Sequence, residues 1–326
     1  MTRYIITCGD INGIGPEISI KLIRDTKLNK NEQFIFVCPS KVFNSISKKS
    51  EINLAYAEIN SIDKIEGITN PLILLDIGQF NLSPGKPTLA SGKASVKALR
   101  FASQIISKGL SLTVITAPIS KEAVSKAGFD FPGHTEYFAS VSTTGNYLMM
   151  FLSKKLRSAL LTIHEPLAKV PKMLTEKLLL NKLSILNESL IHDFKIPKPK
   201  IAILGLNPHA GEKGILGSEE EKVIKPVLKK LGNSFIGPFV PDAFFAKKLY
   251  KDYDCVVGMY HDQVLIPFKM LDFYGGVNYT AGLNFVRTSP DHGTAFNIAW
   301  QNKADQSSMK QAFNQARKIS SNRNKK

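Results

Sequence analysis

Short apolar runs alternate with helical patterns along almost the whole chain. The runs at residues 4–7, 34–38, 71–77, 112–117, 147–152, 159–163, 201–206 and 255–259 predict strands. Several are continuously apolar, as strands covered on both faces are. Between them, residues 92–108, 171–194 and 218–231 carry a helical period, and the last opens with Ser218 and Glu221 at capping-box spacing. Such alternation predicts an α/β fold with a largely parallel sheet. Residues 275–290, GGVNYTAGLNFVRTSP, break the pattern: polar and apolar positions alternate around two glycine breaks, which predicts a hairpin or an extended arm. Helices resume at 292–300 and 308–319. No stretch reads as a clean linker, so one domain interrupted in sequence by the other is expected.

The 326 residues exceed one typical core, which makes two domains the expectation. No apolar run reaches the length of a membrane span and the first residues lack a signal-peptide core, so no membrane partner is expected. Cys8, Cys38 and Cys255 are odd in number and far apart. They suit a reducing, cytoplasmic setting and have no metal-site spacing. The net charge of +16 raises nucleic acid as a partner. The lysines are scattered, however, without interleaved stacking aromatics or a nucleic-acid motif, so the expectation is a solvated basic surface and no nucleic acid. Such a field also draws in anionic metabolites. The basic tail at 317–326 is expected to be frayed.

The first turn, CGDINGIGPE at residues 8–17, has the glycine content of a nucleotide loop. Its G-x-x-x-G-x-G spacing is not the dinucleotide fingerprint, and the Gly-Lys-Ser/Thr of a P-loop is missing. Pro16 suits the first helical position, and Glu17 in that turn complements the helix dipole but would repel a pyrophosphate. A tight strand-to-helix turn is the better reading.

Three of the six histidines follow predicted strands: His164 in ALLTIHEP, His209 in AILGLNPHAGE and His261 in CVVGMYHDQ. Ligands collect at the carboxyl ends of strands in α/β sheets. Three imidazoles delivered to one edge would make an open metal site, while three unrelated histidines bonding locally fit the spacing equally well. Asp262 and Glu165 stand beside two of them and could orient the rings; Glu165, followed by Pro166, reads better as a surface charge. His192, near the end of a long helix, reads as structural. In FPGHTEY, His134 and Thr135 stand at a helix start suited to a phosphate or carboxylate, although Thr135 alone would read as an N-cap. Lys269, Asn278 and Arg287, nine residues apart, are donors that suit a phosphate together and a surface singly. G-x-S-x-G is absent, and no cysteine stands near a base motif.

GDINGIGPE resembles the turn of the decarboxylating hydroxyacid dehydrogenases, the isocitrate and isopropylmalate dehydrogenase group. Together with GHTEY, LNPHAGE, YHDQ, GVNYTAGL and RTSPDHGTAF, in order from residue 7 to about 305, it resembles the 4-hydroxythreonine-4-phosphate dehydrogenase family of vitamin B6 synthesis. The resemblance implies an isocitrate/isopropylmalate dehydrogenase-like fold of two α/β/α subdomains around a cleft. Residues 1–128 with 283–326 would form the cofactor side, and 129–282 would carry metal, substrate and dimer contacts. It also implies a homodimer with the active site at the subunit interface. One divalent ion (zinc, magnesium or cobalt) would sit on His164, His209 and His261, with His164 and His261 from opposite subunits. Implied substrate contacts are His134, Thr135, Lys269, Asn278 and Arg287; Asp242 and Asp262 would support the site. Asp291, His292, Gly293 and Thr294 would hold NAD or NADP.

The implied reaction oxidises 4-phosphohydroxy-L-threonine to 2-amino-3-oxo-4-phosphooxybutanoate, which decarboxylates to 3-amino-2-oxopropyl phosphate. Relatives acting on threonate or erythronate 4-phosphate share nearly all these motifs, and the histidines alone would also serve a metal-dependent hydrolase or lyase. The chain departs from the family pattern at Asn297, where aspartate is usual, at Ala299-Trp300, where Ala-Gly is usual, and at PDAFF in place of ADTLF.

Overall fold

The structure is a computed structural model that describes residues 1–324. In chain order, the first part forms β1 (Thr2–Thr7), α1 (Gly15–Asp25), β2 (Glu32–Val37), α2 (Ser40–Lys49), β3 (Ala57–Ile59), β4 (Leu72–Leu75), α3 (Leu89–Ser107), β5 (Thr113–Thr116), α4 (Lys121–Lys126) and α5 (His134–Val141). The middle forms β6 (Leu148–Leu152), β7 (Arg157–Leu160), α6 (Val170–Met173), α7 (Glu176–His192), β8 (Ile201–Leu204), α8 (Lys225–Leu231), β9 (Phe235–Phe239), α9 (Pro241–Ala246), β10 (Cys255–Gly258), α10 (His261–Leu271) and β11 (Val277–Ala281). The elements β12 (Val286–Pro290) and α11 (Ser307–Asn324) follow.

The chain divides into two compact units, Met1–Thr143 with Asn284–Ser320, and Thr144–Leu283 with the chain from Ser321. In the first, the strand order is β3-β4-β2-β1-β5-β12 and every pairing is parallel. The continuous apolar runs become its inner strands; β4 and β5 are buried at every position. In the second, the order is β11-β6-β7-β10-β8-β9. Pairing is antiparallel from β11 through β6 to β7, then parallel through β10 and β8 to β9.

Several expectations are corrected. Residues 129–143 belong to the first unit, because α5 packs there: the Phe138 ring lies 5.9 Å from that of Phe285, and Ser103 Oγ donates to Tyr137 Oη at 2.9 Å. Of the hairpin or extended arm expected at 275–290, the arm is not found: the segment holds two strands, β11 paired with β6 and β12 with β5, both almost wholly buried. The helix expected at 292–300 is a single 3₁₀ turn, Phe296–Ile298, because Ala295 and Trp300 take left-handed φ and Trp300 Nε1 donates to Ile11 O at 2.9 Å. The capping box at Ser218 does not form; Glu221 pairs with Lys225, and a π-helical segment, Glu220–Ile224, precedes α8. Residues 325 and 326 lie outside the described residues. The rest of the basic tail is helical and anchored, with Arg317 ion-paired to Glu32 and Arg323 to Asp193.

The second of these anchors is a buried network. Asp193 accepts from Arg323 Nε at 2.6 Å, Ser189 Oγ at 2.6 Å and Tyr279 Oη. Burial pushes its carboxyl up, but the Arg323 guanidinium and the two hydroxyls outweigh this and hold it below the usual carboxylate range. Its native form is therefore the anion, and its contribution is complete above a pH of about 4 and lost as pH falls through the lower folded value. Replacing Arg323 with alanine should strand the buried anion and cost about 2 kcal/mol, a fall of roughly 5 °C in Tm by calorimetry. The deficit should shrink as pH falls from ~4 toward that lower folded value, where the carboxyl takes up a proton in the parent as well.

Candidate active site

Three adjacent parallel strands of the second unit, β7, β10 and β8, end on one edge. The loop after each carries one of the histidines singled out in the sequence. His164 and His261 meet: their ring centres are 5.8 Å apart, at a tilt of 39°. They line a cavity of 360 Å³ with Ile163, Glu165, Leu167, Tyr260 and Asp262. His261 opens α10, and its Nδ1 lies 2.7 Å from Asp262 Oδ1, which fixes that ring. Gln263, one turn into the same helix, takes the Met259 N–H at 2.7 Å and donates to Gly205 O at 2.6 Å, which ties the ends of β10 and β8 together.

His209 does not join the pair. Among the described residues no group of three or more His, Cys, Asp or Glu side chains stands close enough to hold a metal ion. His164 and His261 thus stand side by side within one chain. Asp242 is exposed in the first turn of α9, and Glu165 is an exposed surface charge. Lys269 lies in the last turn of α10, with Nζ 5.8 Å from the centre of the Phe273 ring; Asn278 is in β11.

In the first unit, His134, Thr135 and Arg287 come together. Thr135 is not an N-cap; Gly133 holds that position, and Thr135 is buried inside α5. Arg287, only 2% exposed, donates to Thr135 Oγ1 at 3.3 Å, Thr116 Oγ1 at 2.9 Å and Ser289 Oγ at 3.0 Å. Burial pushes this guanidinium down to about 10, against the pull of Glu136. Burial, and then the Arg287 charge, hold His134 well below the ordinary histidine range, so its ring is neutral. Among the described residues its Nε2 is buried with no hydrogen-bond partner.

The first turn of the chain is built inward. Asp10 accepts from Asn12 N at 2.9 Å and Ser91 Oγ at 3.0 Å, and burial holds its carboxyl above the usual range. The Asn12 amide bonds Lys86 O, Thr88 Oγ1 and Ser83 N. Glu17 is buried on Lys21 and the Ala304 N–H, each at 2.8 Å. With these bonds turned inward, the turn is a strut, and its far end carries the Asp291–Thr294 segment. Ile14 N donates to Thr294 O at 3.0 Å, and a Cβ at Gly13 would come within 2.9 Å of that oxygen.

Residues 30–316 match the family of the pyridoxal phosphate biosynthetic protein PdxA. The chain belongs to this family. It is 42% identical over 308 residues to a 4-hydroxythreonine-4-phosphate dehydrogenase of Aquifex aeolicus, with 93% of each chain covered. A relative of the same name from Sulfurihydrogenibium is 40% identical over 312 residues, 94% of this chain and 95% of the other. The crystal structure of a 4-hydroxythreonine-4-phosphate dehydrogenase from Klebsiella pneumoniae superposes with a TM-score of 0.82 at 34% identity, covering 98% of this chain and 99% of that one. As a member of the PdxA family the chain is an oxidoreductase with that dehydrogenase fold.

Among the residues of this PdxA chain that sequence reasoning passed over, Gln263 and Asn207 stood inside motifs it quoted, YHDQ and LNPHAGE. Ser289, which holds Arg287 with Thr116, likewise stood inside the quoted RTSPDHGTAF, whereas Thr116 carried no signal. At the departures from the family pattern, Asn297 is exposed and its carbonyl accepts from Gln301 Nε2 at 2.8 Å, whereas Trp300 is bound into the first turn.

The neutral state of His134 sets an acid-side limit. With a folded pKa below the ordinary value of about 6.5, its contribution is complete above that pH and lost as pH falls beneath it. His134→Gln should therefore lose less Tm than the parent between about pH 7.5 and 5. Parallel melting curves for the two proteins across that range would count against a buried neutral His134.

Proposed function

We propose that the chain catalyses the NAD(P)-dependent oxidation of 4-phosphohydroxy-L-threonine to 2-amino-3-oxo-4-phosphooxybutanoate, which loses carbon dioxide to give 3-amino-2-oxopropyl phosphate. The match to 4-hydroxythreonine-4-phosphate dehydrogenases over nearly the whole chain carries this reading. The residues agree with it. His164 and His261 fit a divalent ion of the zinc, magnesium or cobalt kind, since two imidazoles sharing a tetrahedral ion have ring centres about 5 Å apart. An ion held there would supply Lewis acidity at the substrate hydroxyl, and a nicotinamide cofactor would supply the hydride acceptor. Asp262 orients His261 for that task. Lys269 and Asn278 belong to the same reading as donors to the substrate. Arg287 would exchange neutral hydroxyl acceptors for a substrate anion, a stronger partner for a buried guanidinium. The unmet Nε2 of His134 would take up a substrate hydrogen bond. Asp291, His292, Gly293 and Thr294, braced by the first turn, would receive the cofactor.

We further read the working unit as a homodimer in which His209 of the partner subunit completes the metal site. Each histidine-bearing segment carries an exposed apolar side chain: Leu167 after His164, Ile215 (80% exposed) after His209, and Ile266 and Met270 (82%) on the helix of His261. Exposed apolar groups around a polar site are what an interface covers.

Purified protein given the phosphorylated hydroxythreonine, a divalent salt and NAD or NADP should reduce the nicotinamide, read by absorbance. Reduction only with threonate or erythronate 4-phosphate would move the substrate, and phosphate release without reduction would replace the reaction class. Subunit mixing tests the dimer. Heterodimers of His164→Ala with His209→Ala chains should recover about half the sites, because one site collects both lesions and the other is intact. Heterodimers of His164→Ala with His261→Ala should stay dead, since those two ligands share a chain; recovery in this second pair alone would refute the arrangement.

A further inference from the structure

We propose that Glu220 is a positioning residue whose buried carboxylate holds the turn that presents His209. This rests on the reading of His209 as a metal ligand. Five consecutive residues after β8 take left-handed backbone: His209 (φ 52), Ala210 (φ 52), Gly211 (φ 78), Glu212 (φ 42) and Lys213 (φ 56). Four of them are not glycine, and a left-handed run is disfavoured at each such position. Strain of this kind persists only where surrounding structure imposes it, and it gathers at functional sites.

The imposing group is a carboxylate. Glu220, fully buried in the π-helical segment, accepts the Asn207 N–H at 2.8 Å on Oε1 and the Asn207 side-chain amide at 2.9 Å on Oε2. The same amide donates to Glu219 Oε2 at 2.8 Å. A Cβ at Gly211 would stand 2.6 Å from Glu220 Oε2, so the carboxylate fills the hollow of the turn and the chain wraps around it. Ala210 N closes back on Asn207 O at 3.0 Å, and Leu216 N on Gly211 O at 3.1 Å. His209 is exposed at the outer side of this wrap. Asn207 anchors one end of the turn to Glu220, and the imidazole two residues on inherits that direction. Nothing in the proposed chemistry requires a charge at position 220, whereas burying a carboxylate is costly unless its bonds do something specific.

Glu220→Gln keeps the volume but sets an amide N–H₂ against a donor of Asn207; Asn207→Ala removes the side-chain half of the link and carries the test should the first variant fail to fold. Cobalt(II) alone is the probe, titrated into dimeric protein by calorimetry and followed by visible absorption. Both variants should bind cobalt about 10–100-fold more weakly than the parent. Their cobalt spectra should match that of His209→Ala, and faster amide exchange in the metal-free proteins should be confined to residues 205–217. Parental affinity and spectrum in both variants, with weak binding in His209→Ala, would overturn the positioning role and leave the metal site standing. Parental cobalt binding in His209→Ala itself would overturn the metal reading and this inference with it.

Discussion

Parallel pairing of β7, β10 and β8 is the constraint on which the site depends. Parallel strands present the same end to the same edge, so each loop that leaves these three strands leaves on one side. His164, His261 and His209 stand four, three and five residues beyond the ends of their strands, too few for any of them to cross to the other edge. The middle strand, β10, pairs with both others, and the register Val256↔Ser158 and Val256↔Ala202 sets the relative height of the three loops. A residue lost from β10 would flip its side chains to the opposite face and shift the start of α10.

The two clusters solve different electrostatic problems. Around His164 and His261 the walls are half-exposed and the rings need only be aimed, which Asp262 does from the adjacent position. Around Arg287 the guanidinium is taken out of water altogether, and hydroxyls from β5, α5 and β12 receive its protons. Hydroxyls are neutral and rotate freely, so they can give way to a stronger acceptor without a change of backbone. Carboxylates in those places would have closed the guanidinium to any anion from outside.

What was legible in the sequence follows from what periodicity can express. Continuous apolar runs mark strands covered on both faces, which is why β1, β2, β4, β5, β8 and β10 could be read almost to their ends. Short β3 and the exposed, proline-bearing β9 carry no such run. A histidine just past a strand could be read as well, but which two histidines meet depends on strand order, and strand order is not written in any local window. Buried polar residues are the other blind spot: Glu220, Glu17 and Arg287 look like surface charges until their partners are known. The capping pair Ser218 and Glu221 failed for a related reason, since Glu220 turns inward and the backbone there adopts a π-helical turn.

The interleaving of the first unit with the second has a consequence for biosynthesis. The strand β5 waits for β12, and the first turn waits for Thr294, across some 170 and 280 residues of intervening chain respectively. While a ribosome is still translating, the first 143 residues therefore have an unpaired parallel edge at β5, while residues 144–283 emerge as one uninterrupted stretch. The later-made unit is thus the one whose sheet can close first, apart from the helical end that brings Arg323. An open strand of continuous β-branched and apolar side chains, Thr-Val-Ile-Thr, is a template for pairing with another nascent chain. Chaperone demand for this protein should fall in that interval of synthesis, between the appearance of β5 and the arrival of β12.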